Sequence, residues 1–193
     1  MALNVPSGNK KRITFGPGIL YMGATNASGT TPATIAAGSP GGDIGYVRAA
    51  SLTITRSKLD VFQGSPRSLI ETYAVQEDVA FNIASIEVNP LQFYFALGSG
   101  VTASAAGVDQ LDFGGQVTFQ EVGLLFRHKS PTEGTVDLYL WKCQPVGEIT
   151  MPFGDDVQET AFNFRALEAL TQWGGATTGT NKRLMQLKMT VAP

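Results

Sequence analysis

Two long extended runs meeting at a short Gly/Pro connector constrain this fold more than any other feature. Residues 44–61 form the first run, in which Ser51, Thr53 and Thr55 alternate with Leu52 and Ile54. Period two with one polar face is the pattern of a strand exposed on one side. The connector is Gln63-Gly64-Ser65-Pro66-Arg67. The second run spans residues 69–83 and puts Leu69, Glu71, Tyr73, Val75, Glu77 and Val79 on one face by strict alternation. Ile70, Thr72, Ala74, Gln76 and Asp78 fall on the other. Together they predict a hairpin far longer than the ordinary strand of about five or six residues. Such a hairpin projects beyond its domain, and its free edges need a partner.

The rest of the chain also reads as β. Residues 1–12 are polar, with the basic cluster Lys10, Lys11 and Arg12, and read as an N-terminal arm. Residues 13–23 form a β-run interrupted by Gly16-Pro17-Gly18, which suits a bulge or kink. Residues 24–43 and 99–115 are rich in Gly, Ala, Ser and Thr without periodicity, and are expected to be flexible loops. The sequon Asn26-Ala27-Ser28 in the first of them reads as chance. One helix is expected at residues 90–97, with Pro90 in its first turn and Gly98 just past its end. Residues 117–127 and 135–143 are expected to pair as a second hairpin, and residues 162–165 and 184–191 to add strands. The predicted architecture is a single mainly-β domain over residues 1–193, with one short helix.

Composition narrows the function. The chain has 193 residues, a formal net charge of −2 and 16% charged residues. It therefore carries no global basic field for gripping nucleic acid. The low charge fits a surface partly covered by other subunits, because large interfaces are depleted of charge at their centres. Residues 1–12 lack the apolar core of a signal peptide, and no apolar run is long enough to span a bilayer. The expectation is no membrane insertion.

Candidate chemistry is sparse. Cys143 is the sole cysteine, so neither an intramolecular disulfide nor a CxxC metal site can form, and it reads as a half-buried structural thiol. His128, the sole histidine, stands at a strand end with no nucleophile or orienting carboxylate marked nearby, and reads as a satisfied structural side chain. Glu77 and Asp78 are adjacent in a strand and point to opposite faces, so they cannot act as a dyad. Asp155 and Asp156 follow Gly154 in a turn and lack the spaced ligands of a calcium loop. The Gly-rich pieces lack the context of a phosphate cradle. No catalytic residue, metal ligand or cofactor site is assigned, and an enzyme is not expected.

The stretch 139–167, YLWKCQPVGEITMPFGDDVQETAFNFRAL, joins a strand ending in Lys142-Cys143-Gln144-Pro145 to an aromatic strand built on Phe162 and Phe164. It passes through Pro152-Phe153-Gly154-Asp155-Asp156 on the way. This segment resembles the equivalent part of the major tail tube proteins of long-tailed, siphovirus-type bacteriophages. The order of features from residue 44 to 167 resembles that family as well. The resemblance implies a β-sandwich or barrel flanked by a helix, assembled as homo-hexameric rings that stack into a virion tail tube. It implies assembly in the host cytoplasm, transient passage of genomic DNA, and a tape measure protein, a tail terminator and tail-tip or baseplate proteins as partners. Four strands from each of six subunits would give a barrel of ~24 strands and a backbone diameter of roughly 50 Å, wide enough for duplex DNA. Asp60, Val61, Phe62, Gln63, Gly64, Ser65, Pro66, Arg67, Ser68 and Leu69 are the expected ring-to-ring contact. Glu71, Glu77 and Asp78 are candidates to line the lumen, where like charge would keep DNA from binding. The alternatives are a tube subunit of a contractile injection or secretion device, and a β-sandwich carbohydrate-binding or head-decoration protein. Tyr139, Trp141 and Trp173 would be the sugar-stacking platform of the latter.

Overall fold

The computed structural model describes residues 18–24, 43–87, 90–98, 100–105, 107–115, 121–129, 135–151, 159–169 and 183–190. The N-terminal arm, the 25–42 stretch with its sequon, the Pro152–Asp156 turn and Trp173 lie outside them.

The elements run β1 (Gly18–Ala24), β2 (Asp43–Gln63), β3 (Ser68–Ser85), α1 (Pro90–Leu97), β4 (Val101–Ala105), β5 (Val108–Asp112), β6 (Val122–Lys129), β7 (Thr135–Pro145), β8 (Thr160–Ala166) and β9 (Gln186–Thr190). The main sheet has the order β6-β1-β2-β3-β8-β7-β9, every pairing antiparallel. β6 also pairs with β7 along Val122–Lys129, so six strands close on themselves. β7 makes this possible by splitting its second edge. Its end, Cys143–Pro145, pairs with β8, and its start, Thr135–Tyr139, pairs with β9. The mainly-β expectation resolves into a closed barrel, which removes most free edges.

The barrel interior is filled by alternating apolar side chains. Met22, Phe81, Ile83, Leu124, Leu140, Phe162 and Phe164 are all nearly inaccessible and belong to one cluster. Helix α1 adds Phe93, Phe95 and Ala96. Phe93 meets Phe162 edge-on with centroids 5.4 Å apart, and buried Gln92 lies within 3.3 Å of the Ser85 hydroxyl. The helix touches β1, β2, β7 and β8, strands from opposite sides of the barrel, and so covers one mouth. Gly98, at φ 64°, ends it and donates its N–H to Phe95 O.

Two expectations need correction. Residues 99–115 are not an irregular loop: β4 and β5 pair from Val101↔Asp112 to Ala105↔Val108. Small residues hid the alternation, and the Gly107 turn at φ 82° supplies the reversal. Cys143 is fully buried, not half-buried, and its thiol donates to Val122 O at 3.1 Å. A bulge opposite Val122 and Leu124 turns it inward. Gly16 and Pro17 of the expected kink lie outside the described residues; within β1–β2 a register shift between Ile19 and Tyr21 places one extra residue in β2.

Gly18 is required for packing. A Cβ there would lie 2.2 Å from the Phe126 ring and 3.1 Å from Arg127 O. Gly18→Ala is therefore expected to destabilise the barrel by about 1–3 kcal/mol, the usual cost of overpacking. Urea unfolding would measure it, with Phe126→Leu in the same chain recovering part of the loss.

Candidate assembly interface

The most unusual surface is the β2–β3 hairpin. Their pairing runs from Val47↔Ser85 to Gln63↔Ser68, but among the described residues each strand has a second neighbour only at its base. β1 reaches β2 no further than Val47, and β8 reaches β3 no further than Ala80. Beyond these points a two-stranded ribbon continues alone for about ten residue pairs, roughly 30 Å. Two-stranded ribbons are marginal in water without further packing. This one nevertheless exposes Ile54, Leu59, Phe62, Leu69, Ile70, Tyr73 and Val75, each at least half accessible.

Its tip is Gly64–Arg67. Gly64 adopts φ 98°, a left-handed conformation that favours glycine, and Ser65-Pro66 is cis. Phe62 pairs directly with Leu69, so the two share a face and form one apolar knob. Of the ten residues expected to make ring-to-ring contact, Asp60–Leu69, only Asp60 is half-buried and the rest are exposed.

The register changes the expected faces of β3. Two shifts, between Ser57/Lys58 and Val61/Phe62, each insert an extra residue in β3, at Val75 and at Ile70. A one-residue insertion inverts the side-chain period beyond it. Glu77 pairs with Arg56 on the face that becomes the barrel interior at Leu52 and Phe81. Glu71 pairs with Val61 and Tyr73 with Leu59, on the opposite face, together with Asp78 opposite Thr55. The expectation that Glu71 and Glu77 share a face is thus overturned, because strict alternation cannot anticipate a bulge.

The three acidic residues are also locally compensated. Arg56 Nε lies 2.8 Å from Glu77, and Arg165 Nε lies 2.7 Å from Asp78. The Tyr73 hydroxyl donates to Glu71, which pushes the tyrosine pKa up. Thr72 Oγ1 donates to Asp60 at 2.8 Å, and Lys58 stands 3.4 Å away. The Thr72 hydrogen bond is the main cause holding the Asp60 carboxyl below the ordinary aspartate value. A depressed pKa means this contact favours the folded ribbon above the ordinary range and is lost as pH falls through the lowered value. The Asp60 carboxyl is expected to titrate below the ordinary 3.8, and Thr72→Ala to move that midpoint up in an NMR titration.

At the barrel mouth away from α1 lies an open cavity of about 450 Å³. It is lined by the start of β1 (Gly18), the ribbon base (Leu52, Phe81), the end of β6 (Phe126, His128), the start of β7 (Leu138) and Leu187 of β9. His128 stacks on Phe126 at an interplanar angle of 14°. Its Nε2 is buried with no hydrogen-bond partner among the described residues. Among the described residues, the histidine expected to be satisfied therefore has one nitrogen without a partner, because its strand carries it against the Phe126 ring. Sequence offered no sign of this.

Beside the cavity, Arg127 clamps Asp137 with two hydrogen bonds, 2.7 and 2.9 Å, and the Tyr139 hydroxyl adds a third at 3.3 Å. Hydrogen bonding to Asp137 pushes the Arg127 pKa up. Burial, followed by the Asp137 charge, pushes Tyr139 up. Asp137 is 4% exposed, so Arg127→Met would leave a buried charge without its main partner. The expected loss is about 2–3 kcal/mol, at the low end for buried pairs because Arg127 is partly solvated. In chemical denaturation, Arg127→Met/Asp137→Leu should lose less than Arg127→Met alone; an equal or larger loss would refute the argument.

Trp141 is 1% exposed and so cannot offer a ring to a sugar, which removes the core of the expected stacking platform. Among the described residues no group of three His, Cys, Asp or Glu side chains could hold a metal.

No protein-family model matches the chain. No curated protein matches it either. Among solved structures, it is similar to a chain from the tail of an empty GTA particle with C6 symmetry, at 11% identity and a TM-score of 0.39, over 78% of this chain and 92% of that one.

Proposed function

We propose that this protein is a structural subunit of a phage tail tube, self-associating into hexameric rings that stack as a conduit for DNA. The observation that carries this reading is the unsupported β2–β3 ribbon, with its row of half-exposed apolar side chains. Among the described residues no further strand packs along this ribbon, and neighbouring subunits supply that packing in a tube. The resemblance of residues 44–167 to siphovirus tail tube proteins supports the same reading. Asp60–Leu69 form the ring-to-ring contact, and the proposed partners are a tape measure protein, a terminator and tail-tip proteins, in a virion tail. The paired state of Glu71, Glu77 and Asp78 suits a wall that does not attract phosphates, with Glu71 and Asp78 on one ribbon face and Glu77 on the other.

Negative-stain electron microscopy of concentrated protein, with sedimentation of the same sample, tests the reading. Six-fold rings or hollow tubes are expected. A protein that stays monomeric at high concentration and with added tail-tip complex would refute it.

A further inference from the structure

Exposed charges without an opposite partner separate between the two ends of the molecule. Arg67, Arg183 and Lys188 are exposed and make no ion pair among the described residues. Arg67 sits at the ribbon tip, Lys188 on β9 beside the start of β7, and Arg183 beside Ala169 past the end of β8, all away from α1. Asp109, Asp112 and Glu148 are exposed without a cation partner among the described residues. Asp109 and Asp112 belong to the β4–β5 hairpin, which lies against α1. Glu148 follows the end of β7 on the same side, where Val146 N–H donates to Asn163 O. We propose that the β4–β5 hairpin of one copy of this chain receives the ribbon tip of a second copy, with Arg67 set against Asp112. This rests on the tube reading and adds the surface on which the tip lands.

The hairpin is a seated platform with a defined outer face. Leu111 packs against the core, and a Cβ on Gly100 would lie 2.8 Å from it, so that face is pressed inward. Alternation puts Val101, Ala103, Val108, Gln110 and Asp112 on the other face. Val101 and Val108 are 61% and 63% exposed. Asp112 stands directly opposite Val101, and Gln110 Nε2 donates to it at 2.8 Å. The tip repeats this pairing of charge and apolar surface with the sign reversed. There Arg67 lies two residues before Leu69, whose cross-strand partner is Phe62, and both apolar side chains are more than half exposed. The two patches cannot meet within one chain. β3 runs from Ser68 at the tip to Ser85 at the α1 end, and its 18 residues hold them about 55 Å apart. A contact between two different patches of one chain is heterologous, and so propagates as a ring or a stack. Charge gives it direction, because tip on tip or platform on platform would set like charges together.

Charge reversal on full-length chains, followed by sedimentation at low salt, tests this. Arg67→Glu and Asp112→Arg should each weaken self-association roughly tenfold, since an exposed attraction becomes a repulsion of similar size. The chain carrying both substitutions should return to within about threefold of the parent, because the pair is restored with its signs exchanged. Both side chains are exposed, so circular dichroism should match the parent throughout. Raising salt from about 0.05 to 0.5 M should weaken the parent and the double variant alike, and should relieve the defect of each single variant. The proposal is overturned if the double variant assembles no better than either single one. It is equally overturned if Glu148→Arg rescues Arg67→Glu as well as Asp112→Arg does, which would move the landing site off β4–β5. If six-fold rings or tubes survive both single reversals, the tube reading stands and only the landing site is wrong. A parent chain that never associates refutes both.

Discussion

Replacing Phe62 and Leu69 together with aspartate should abolish rings and tubes while leaving the subunit folded. Both side chains are more than half exposed and contribute little to the barrel. Their remaining apolar area is available to a neighbour. Burying it is worth roughly 1 kcal/mol for each half-exposed side chain, so a contact loses about 2 kcal/mol when both are removed. Desolvating two new carboxylates adds to the loss. Each 1.4 kcal/mol is about tenfold in affinity, so association falls at least thirtyfold per contact and further across a ring with several contacts. Sedimentation should show the monomer, while circular dichroism and the melting temperature stay near those of the parent. Deleting Gln63–Arg67 should act the same way. Tubes of normal length from either variant would mean that the tip is not the ring-to-ring contact.

Phe162→Ala should produce the largest loss of stability. The ring is 1% exposed, lies at the centre of the barrel cluster and meets Phe93 of α1 edge-on. Its removal leaves a cavity enclosed by a sheet that closes on itself and cannot collapse easily. The expected cost is about 3–5 kcal/mol, a large part of the roughly 5–15 kcal/mol that holds a typical domain together. The loss should appear in urea unfolding as a lower midpoint with an unchanged slope. It should also loosen α1, so amide exchange in Phe93–Leu97 should rise more than in β6. A loss below about 1 kcal/mol would show that the helix and barrel are not joined through this ring.

The elements most legible in the sequence were those whose local pattern and tertiary role agree. The helix at Pro90–Leu97 lies between Pro90 and Gly98, as its punctuation indicates. The long hairpin is visible because Ser51, Thr53 and Thr55 alternate with apolar neighbours and Gly64 marks the reversal. The β6–β7 pair follows from two runs separated by a turn. Residues 101–112 were misread because Val101–Ala105 has few large side chains to mark a face. The faces of β3 were misassigned beyond Glu77 because the bulges at Val75 and Ile70 come from pairing with β2 and leave no mark of their own in the sequence.

The candidate interface divides in the same way. Local periodicity and turn residues by themselves determined a mainly-β chain with a helix at Pro90–Leu97, a projecting hairpin around Gly64 and an apolar residue on each side of its tip, because these are properties of neighbouring residues. Only the tertiary structure decided that β6 and β7 close the barrel, that Cys143 and Trp141 are buried, and that Glu71 lies with Asp78 and apart from Glu77. It alone assembled the cavity at His128, which draws on β1, β2, β3, β6, β7 and β9. The physical reason is sequence separation: Gly18 and Leu187 meet at that cavity only because antiparallel registers across the whole barrel bring them there, and no local signal encodes a register.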